Sequence, residues 1–554
     1  MIISSNASRL MLVLLLGWAP LAEARGTPQQ PQGDAPQSQF RIAGTVVNSI
    51  SRSPLPLVRV VLRDVRNTKD VQSVLTGDDG HFEFQAKAGK YSLHGAKRGF
   101  ISGDYDQHEQ FSSAIVTGAG LATENLILKL APSAVLGGRV LDELGEPVRG
   151  AQVSLWHEDH ASGVSRITRV NQSVVDDQGV YEFTPLDVGI YFLSVSATPW
   201  YAVHPASYST AEGVPAIPSA VDRGLDVVYP TTYYAGATES DDASPISVRG
   251  GDHLEIDLHL TPVPALHIAF RTQPTEPNHY LSPVLTRRAF DGFESRQGLP
   301  NIQTIAPGMF EMVTAPGKYS VHLIGEGQSS QINEVDLSQD HQVVDASSGE
   351  ATASVHASVH LLGGQTLPSE FFVGLREGQR RGTTYQPVTA QGEVQFEGLA
   401  SGTYDIVAVS SDYPYSVVQI SSEGHEKLGR RLKVTPGAAL SVSLTLVRGG
   451  GIVEGAIRQA GKPVAGAMVV LIPKLPESNP DLFRRDQSDL DGTFTLQRVI
   501  PGTYTVVAIV DGWDLDWSKP HVISKYVAHG QTVVVPQEAN RPIRLPEPLE
   551  VQSK

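Results

Sequence analysis

Two short clusters contain the acidic and histidine side chains that bind metal ions in other proteins. The first, Asp489-Leu490-Asp491-Gly492, has the opening ligands of a calcium loop. No further oxygen ligands and no late bidentate glutamate follow at the spacing that such a loop requires. A β-hairpin turn uses the same Asp-Gly chemistry, because glycine supplies the positive φ. We therefore interpret the segment as a hairpin turn, and whether an Asp-rich turn binds calcium stays open.

The second cluster, His157-Glu158-Asp159-His160, has zinc-binding residue types. It lacks the H-E-x-x-H spacing that places two histidines on one face of a helix. We place it in the loop after a predicted strand at Val153–Trp156, and we predict no metal there.

A further set of polar residues alternates with apolar ones near position 256. Alternation with period two is typical of a strand with one solvated face. The outermost two histidines would lie about 20 Å apart on such a strand, too far to share an ion. We therefore predict neither a metal nor a cofactor. The set comprises His253, Glu255, Asp257 and His259.

The familiar catalytic motifs are absent from the sequence. It contains neither a G-x-S-x-G nucleophile elbow nor a P-loop. Cysteine is absent, which excludes disulfides, cysteine-zinc sites, cysteine nucleophiles and a cysteine-linked lipid anchor. A glycosidase carboxylate pair has no fixed spacing, so a polysaccharide or peptide hydrolase remains an alternative. We predict a non-enzyme, because the repeats described below occupy nearly all of the chain.

Two groups of aromatic residues are the candidates for specific binding. Aromatic rings stack on the apolar faces of sugars, and loops at the end of a sandwich commonly carry function. The alternative is that these rings pin a long loop to its own domain or pack against the next one. The candidates are Trp200, Tyr201, Tyr229, Tyr233 and Tyr234 in one long insertion, and Trp513 and Trp517 near the C-terminus.

The elements that must position these residues follow from a repeat. Five times a turn with glycine leads to an alternating apolar pair, a second glycine turn and a tyrosine. The distance from the first glycine to the tyrosine is 11, 12, 11, 12 and 12 residues, which is too constant for chance. The five pairs are Gly80 and Tyr91, Gly179 and Tyr191, Gly308 and Tyr319, Gly392 and Tyr404, and Gly492 and Tyr504.

The chemistry of this unit predicts antiparallel β-structure. Phe82 and Phe84 are two residues apart, so both point into one core. The tyrosine is similar to a tyrosine corner, in which the ring is buried and the hydroxyl bonds backbone across a Greek-key connection. Helical periodicity is nearly absent, apart from one short helix predicted around Val522–Ala528 and ended by Gly530.

The N-terminus has the features of a secretory signal peptide. Arg9 precedes an apolar run that begins at Leu10–Leu16, and Ala22-Glu23-Ala24 gives a cleavage site after Ala24. The run is too short to span a bilayer. We therefore predict export to the periplasm, the outer envelope or the extracellular space, with no transmembrane segment after cleavage.

Composition narrows the class of partner. The 554-residue chain has 43 Lys and Arg against 59 Asp and Glu, a net charge of −16. Phosphate binding needs clustered positive charge, so nucleic acid is not expected as a partner. Gly 52 and Pro 37 favour short strands and many turns over helices.

The repeated motifs resemble the carboxypeptidase regulatory-like domain, a prealbumin (transthyretin)-like sandwich grouped with carbohydrate-binding-like folds. The second and fifth copies carry the likeness best. Their opening strands are Val135–Val140 and Ile452–Ile457, followed by P-V-x-G-A-x-V at Pro147–Val153 and Pro463–Val469. The third and fourth copies keep only the second half of the pattern. The resemblance specifies fold better than activity, and by fold analogy it implies carbohydrate as the ligand class.

The fold class predicted is all-β, a tandem array of about five Greek-key prealbumin-like sandwiches with little helix. The predicted ranges are a signal peptide at 1–24, a Pro/Gln-rich linker at 25–39, and sandwiches at 40–132, 133–263 with the aromatic insertion, 264–348 in degenerate form, 349–448, and 449–554 with a C-terminal extension. We predict a non-catalytic envelope protein whose sandwiches are spacers and binding modules. A protein–protein accessory or assembly factor of the envelope is the alternative.

Overall fold

A computed structural model describes residues 39–118, 120–204, 223–272, 274–276, 279–280, 282–290, 293–296, 302–325, 328–346, 353–377, 383–410, 415–422, 427–477, 479–537 and 541–554. The predicted signal peptide and all of the predicted linker except Gln39 lie outside these residues. The protein is all-β, with 57% strand and 5% helix, which confirms the predicted fold class.

Among the described residues ten of the twelve sheets form five pairs, one pair for each repeat, and the other two sheets are two-stranded. We call these pairs sandwiches 1 to 5. Sandwich 1 comprises β1 (Phe40–Asn48), β2 (Arg59–Asp64), β3 (Val71–Leu75), β4 (His81–Ala86), β5 (Gly89–Ala96), β6 (Gly103–Asp104), β7 (Ile115–Thr117) and β8 (Leu126–Leu130). Sandwich 2 comprises β9 (Ala134–Leu141), β10 (Gln152–Asp159), β11 (Arg166–Val174), β12 (Val180–Leu186), β13 (Gly189–Ser196), β14 (Val227–Val228), β15 (Thr232–Tyr233), β16 (Ile246–Val248), β17 (His253–Glu255) and β18 (Leu258–His259), and β19 (Val263–Pro264) pairs back to β14.

Sandwich 3 comprises β20 (Leu266–Arg271), β21 (Pro274–Glu276), β22 (His279–Tyr280), β23 (Ser282–Ala289), β24 (Phe293–Arg296), β25 (Gln303–Ala306), β26 (Met309–Thr314), β27 (Gly317–Gly325), β28 (Gln328–Leu337) and β29 (Val343–Asp345). Sandwich 4 comprises β30 (Ala353–Leu361), β31 (Phe371–Glu377), β32 (Thr383–Pro387), β33 (Glu393–Leu399), β34 (Gly402–Ser410), β35 (Tyr415–Ser422), β36 (Lys427–Gly429), β37 (Arg431–Val434) and β38 (Ala439–Arg448). Sandwich 5 comprises β39 (Gly451–Gln459), β40 (Lys462–Pro463), β41 (Met468–Pro473), β42 (Arg484–Gln487), β43 (Thr493–Val499), β44 (Gly502–Val510), helix α1 (Pro520–Val527), β45 (Gln531–Val535), β46 (Ile543–Arg544), β47 (Leu549–Glu550) and β48 (Gln552–Ser553).

All five sandwiches share one topology. The opening strand pairs antiparallel with the strand after the first glycine turn, and parallel with a later closing strand, as β1 does with β4 and β8. The same pattern recurs around β9, β20, β30 and β39. Parallel neighbours cannot be joined by a hairpin, so the chain crosses to the second sheet between them. The third and fourth copies, whose opening strands the sequence did not reveal, therefore have the same topology as the others.

The first glycine of each repeat ends the turn that leads into the strand paired antiparallel with the opening strand. All five have φ between 69° and 84°, a region that glycine enters without strain. Their carbonyl oxygens accept a backbone N–H from the opening strand or just after it at 2.7–2.9 Å. The five donors are Val46, Val140, Thr272, Val359 and Ile457.

The repeat tyrosine closes the second turn in each sandwich. Its ring is at most 5% exposed, and its hydroxyl donates to the carbonyl four residues earlier at 2.7–3.1 Å. The predicted corner is therefore confirmed in every copy. The five bonds are Tyr91 to Lys87, Tyr191 to Asp187, Tyr319 to Ala315, Tyr404 to Ala400, and Tyr504 to Ile500.

Each sandwich encloses its own apolar core, and two outer sheet faces are covered as well. In sandwich 5 the strand β41 is buried at all six residues, because helix α1 and the Trp513–Trp517 segment pack on its outer side. The short predicted helix is confirmed at α1, which begins at Pro520. In sandwich 2 the outer face around Trp156 is covered by Phe290 of sandwich 3.

The close approach at the turn glycine gives a stability prediction with an internal control. A Cβ at Gly492 would lie 2.5 Å from the Ile457 carbonyl oxygen, whereas one at Gly461 would meet nothing within 4 Å. Both have φ near +80°, so Gly461→Ala adds only the left-handed strain, about 1–2 kcal/mol. We expect Gly492→Ala to lower the free energy of unfolding by about 2 kcal/mol more than that. Urea denaturation of the full chain measures the difference, and equal losses would contradict the clash.

Candidate functional site

The long insertion of sandwich 2 begins at the end of β13 and places one aromatic pair at the surface. Trp200 is 88% exposed, and its ring is perpendicular to that of Tyr201, with 5.8 Å between ring centroids. The loop after β9 lies beneath the pair and brings Glu143 to the Tyr201 hydroxyl, which donates to Oε1. Tyr229 is 6% exposed and donates from its hydroxyl to the other oxygen, Oε2, at 3.0 Å. Trp200, Tyr201, Tyr229 and Glu143 form what we call the aromatic platform.

Ionisation at the platform favours one arrangement of protons. Partial burial opposes the negative charge on Glu143, but hydrogen bonds from Tyr201 and Tyr229 hold the pKa of its carboxyl below the usual range. Burial and the bond to Glu143 raise the pKa of Tyr201 to about 12, and the pKa of Tyr229 is raised for the same reasons. The carboxylate therefore stays charged and both phenols stay protonated at neutral pH.

The other two tyrosines of the insertion face inward. Tyr233 is 3% exposed, and its ring packs edge-on against Phe290 of sandwich 3 at 5.5 Å. Trp156 and Phe192 lie against the same Phe290 ring at 5.0 and 5.1 Å. Tyr234 is partly buried against the core of sandwich 2. Tyr233 therefore packs between two sandwiches, while Tyr234 remains partly accessible.

The C-terminal tryptophans join sandwich 5 to sandwich 1. Trp513 stacks on His108 with 4.9 Å between ring centroids and 6° between planes. Trp517 is 7% exposed and lies beneath the guanidinium of Arg485, whose carbon is 4.4 Å from the ring centroid. Arg485 also bonds Glu109 of sandwich 1 at 2.5 Å. These five residues form what we call the 1–5 junction, and its rings face other protein groups.

The Asp-rich turn belongs to the same contact. Asp489 begins a β-turn in which the Gly492 N–H donates to the Asp489 carbonyl at 2.8 Å. The hairpin interpretation is wrong, because this turn connects β42 to β43 and these strands lie in different sheets. Its carboxylate accepts from Lys90 Nζ at 2.5 Å and from the Ala114 N–H at 2.8 Å, both in sandwich 1. The aspartate therefore neutralises a lysine of another sandwich.

The histidine cluster of sandwich 2 lies differently from its predicted place. Strand β10 runs to Asp159, so His157 is in a strand and not in a loop, and its ring lies 4.6 Å from that of Tyr191. The hairpin ladder with β11 extends β10 beyond the predicted end at Trp156. His160 bonds Asp516 of sandwich 5 at 3.2 Å. In the described part of the chain no three His, Asp or Glu residues are grouped to hold a metal ion.

The alternating set near position 256 is solvated, as predicted, but the predicted strand is interrupted at Ile256 and Asp257, between β17 and β18. The Asp257 carboxylate accepts the Arg139 N–H of β9 at 2.9 Å. His253, Glu255, Asp257 and His259 are all exposed. Apolar residues alternate with them along the same segment, and Leu258 and Leu260 are buried.

A buried ionic group links sandwiches 2 and 3. His267 is 3% exposed, with Nε2 at 2.9 Å from Asp226 Oδ2 and Nδ1 at 3.6 Å from Glu311 Oε1. Asp226 also contacts His204 Nδ1 at 3.0 Å. Burial lowers the pKa of His267, but the nearby Glu311 carboxylate and the hydrogen bond to Asp226 outweigh it and raise the pKa to about 9. His267 is therefore predominantly protonated at neutral pH.

Sequence reasoning missed Glu143, Arg485 and His267. Glu143 lies in an ordinary Asp-Glu-Leu-Gly turn, and its tyrosine partners are 58 and 86 residues away. Arg485 meets Glu109, and His267 meets Asp226, only when separate sandwiches come together. A short-range pattern contains no signal for such residues.

In the described residues no helix is both long and apolar enough to cross a membrane. No protein-family model matches the chain, and no curated protein sequence matches it. The carboxypeptidase regulatory-like assignment therefore remains a prediction.

The solved structures that the chain is similar to include a Bacillus anthracis protein and two streptococcal pilins, all at low TM-scores. The Bacillus anthracis TIE protein is 11% identical over 75% of this chain and 76% of its own, with a TM-score of 0.17. The Streptococcal ancillary pilin is 10% identical over 52% of this chain and 99% of its own, with a TM-score of 0.18. GBS52, the minor pilin of Streptococcus agalactiae, is 13% identical over 43% and 98%, with a TM-score of 0.20. Values this low transfer no function to the chain.

We expect the loss of the Arg485 cation from the 1–5 junction to lower the free energy of unfolding strongly. Arg485→Gln leaves Glu109 without its partner and removes the charge above Trp517, so we expect a loss of about 2–4 kcal/mol in the free energy of unfolding. Arg544→Gln is the control, because Arg544 also pairs with a glutamate but is 82% exposed, and it should cost under about 1 kcal/mol. Urea denaturation followed by tryptophan fluorescence compares them, and similar losses would refute the role of the junction.

The His267 group predicts a loss of stability in alkali. Its folded pKa is about 9 against 6.5 for an ordinary histidine, so its contribution is complete below pH 6.5 and is lost as the pH rises through about 9. We expect the urea midpoint of the native protein to fall relative to His267→Gln between about pH 7 and 10. His253→Gln, an exposed histidine, should follow the native curve. Parallel curves for the native protein and His267→Gln would contradict the assignment.

Proposed function

We propose that the protein is a non-catalytic structural and binding protein of the bacterial envelope, and that it holds a carbohydrate at the aromatic platform. The observation that carries the proposal is Trp200, an indole 88% exposed beside a fixed carboxylate. Exposed aromatic rings supply the apolar stacking surface that sugar rings bind, and carboxylates accept hydrogen bonds from sugar hydroxyls.

The structural part of the proposal is supported by how the aromatic and charged groups are used. Tyr233 and Trp517 are buried between sandwiches, and Asp489 is occupied by Lys90. Sandwich 1 contacts sandwich 5, so the first and last sandwiches are joined. This favours a structural unit in which the two ends of the repeat are in contact.

The platform is supported by its rigidity as well as its exposure. Tyr201 and Tyr229 both donate to Glu143, and Tyr229 is buried in sandwich 2. A ring held by a buried neighbour loses little side-chain entropy on binding, which favours affinity at a small site.

A second candidate, a docking role toward other envelope proteins, is favoured by the outer face of sandwich 4. Phe372 and Val409 are cross-strand neighbours there, and they are 40% and 41% exposed. Tyr385, 47% exposed, pairs with Gly374 on the same sheet. Contiguous exposed apolar groups of this kind are typical of protein contacts.

Glycan-array screening of the full chain, followed by titration of a bound glycan, tests the proposal. We expect Trp200→Ala to weaken binding about ten-fold through the lost stacking surface. The change should leave the unfolding midpoint unaltered, because the indole is exposed.

Tyr385→Ala is the matched control, since it removes an exposed aromatic from sandwich 4. It should leave glycan affinity unchanged. If no glycan binds, the carbohydrate function is wrong. If Tyr385→Ala weakens binding as much as Trp200→Ala does, the site lies elsewhere.

A further inference from the structure

We infer that the aromatic platform selects glycans carrying free amino groups, and that Glu143 is the residue that determines this preference. The inference rests on the proposed carbohydrate function and specifies its ligand class. It comes from the hydrogen-bond inventory of the platform, from its charge and from the exposed indole.

The two tyrosines have already used their only donors. Each phenol has one O–H, and both point at Glu143, one at each carboxylate oxygen. An ionised carboxylate has about four lone-pair positions, so about two remain on Glu143. Glu143 is exposed, so a ligand can reach those positions. A ligand that contacts this part of the platform must therefore donate hydrogen bonds.

The charge of the platform is uncompensated. In the described part of the chain the groups that bond the Glu143 carboxylate are two neutral hydroxyls and a backbone N–H, and no lysine or arginine forms an ion pair with it. Both phenols keep their protons well above neutral pH, as described above. Asp142 is near enough to raise the pKa of both Tyr201 and Tyr229. A ligand with carboxylate or sulfate groups would be repelled, and a cation would be attracted.

The Trp200 indole also favours a cationic ligand. Trp200 leaves most of its surface to solvent, and tryptophan is the aromatic side chain that attracts cations most strongly over its face. An amino sugar provides the two features together, since its ring stacks on the indole and its ammonium donates to Glu143. A neutral sugar gains only the stacking and its hydroxyl bonds.

The test uses the full chain and three oligosaccharides of equal length: a glucosamine hexamer, an N-acetylglucosamine hexamer and a galacturonic acid hexamer. Calorimetric titration at mildly acidic pH keeps the free amines charged. We expect the glucosamine hexamer to bind about ten-fold more tightly than the acetylated hexamer, as a charge-assisted hydrogen bond provides. The galacturonic acid hexamer should bind most weakly.

Glu143→Gln removes the charge and keeps an acceptor oxygen for one of the two tyrosines, while its amide NH2 can donate to the hydroxyl oxygen of the other. It should reduce the ten-fold preference for the glucosamine hexamer to about two-fold or less. Glu146→Gln is the control, because it removes the same charge three residues away, and neither Tyr201 nor Tyr229 hydrogen-bonds to that residue. It should preserve the preference.

The outcomes separate this inference from the function on which it rests. Binding of the glucosamine and acetylated hexamers with equal affinity would overturn the amine preference and leave carbohydrate binding intact. An equal effect of Glu146→Gln and Glu143→Gln would assign the preference to the overall acidity of the chain and overturn the role of Glu143. Binding of no hexamer and no array glycan would overturn the proposed function itself.

Discussion

The architecture depends on a backbone contact that only glycine permits. At the first turn of each repeat the glycine carbonyl accepts an N–H from the opening strand or just after it at 2.7–2.9 Å. A Cβ at Gly80, Gly179, Gly392 or Gly492 would lie 2.5–2.9 Å from a carbonyl oxygen of that strand. The strand after the turn is thereby locked to the opening strand. Core side chains of different volume can repack, but this contact leaves no space for any other residue, so the glycine recurs where the apolar pair varies.

The tyrosine gives the second turn a similar constraint. Its hydroxyl satisfies a carbonyl four residues earlier, which would otherwise lack a partner at the point where the chain crosses between sheets. The ring also fills the core, so one side chain satisfies both packing and hydrogen bonding. The glycine and the tyrosine together mark both ends of the β-strand between them, and this explains the spacing of 11 or 12 residues.

Local features of this kind made the fold predictable from sequence, whereas the sites were less so. The turns, the alternation of Phe82 with Phe84 and the helix at α1 are decided within about a dozen residues. Whether an aromatic residue is buried or exposed is not decided by its neighbours in sequence. Trp513 and Tyr233 have the composition of exposed binding residues, yet His108 and Phe290 of other sandwiches cover them. Lys90 and Asp489, 399 residues apart, meet for the same reason, and no pattern along the chain pairs them. Trp200 differs in that it is 88% exposed.

The distribution of charge follows from the same packing. In an acidic chain, the junctions use cations to neutralise carboxylates, as Arg485 does for Glu109 and Lys90 does for Asp489. Glu143 is satisfied instead by two neutral phenols, which orient the carboxylate without cancelling its charge. A carboxylate with a structural role is stabilised most by a cationic partner, because the pair then has no net charge. Glu143 is held by neutral donors near the exposed Trp200 indole, so its negative charge remains available to attract a ligand. This contrast within one chain is the physical reason to assign binding to the platform and packing to the junctions.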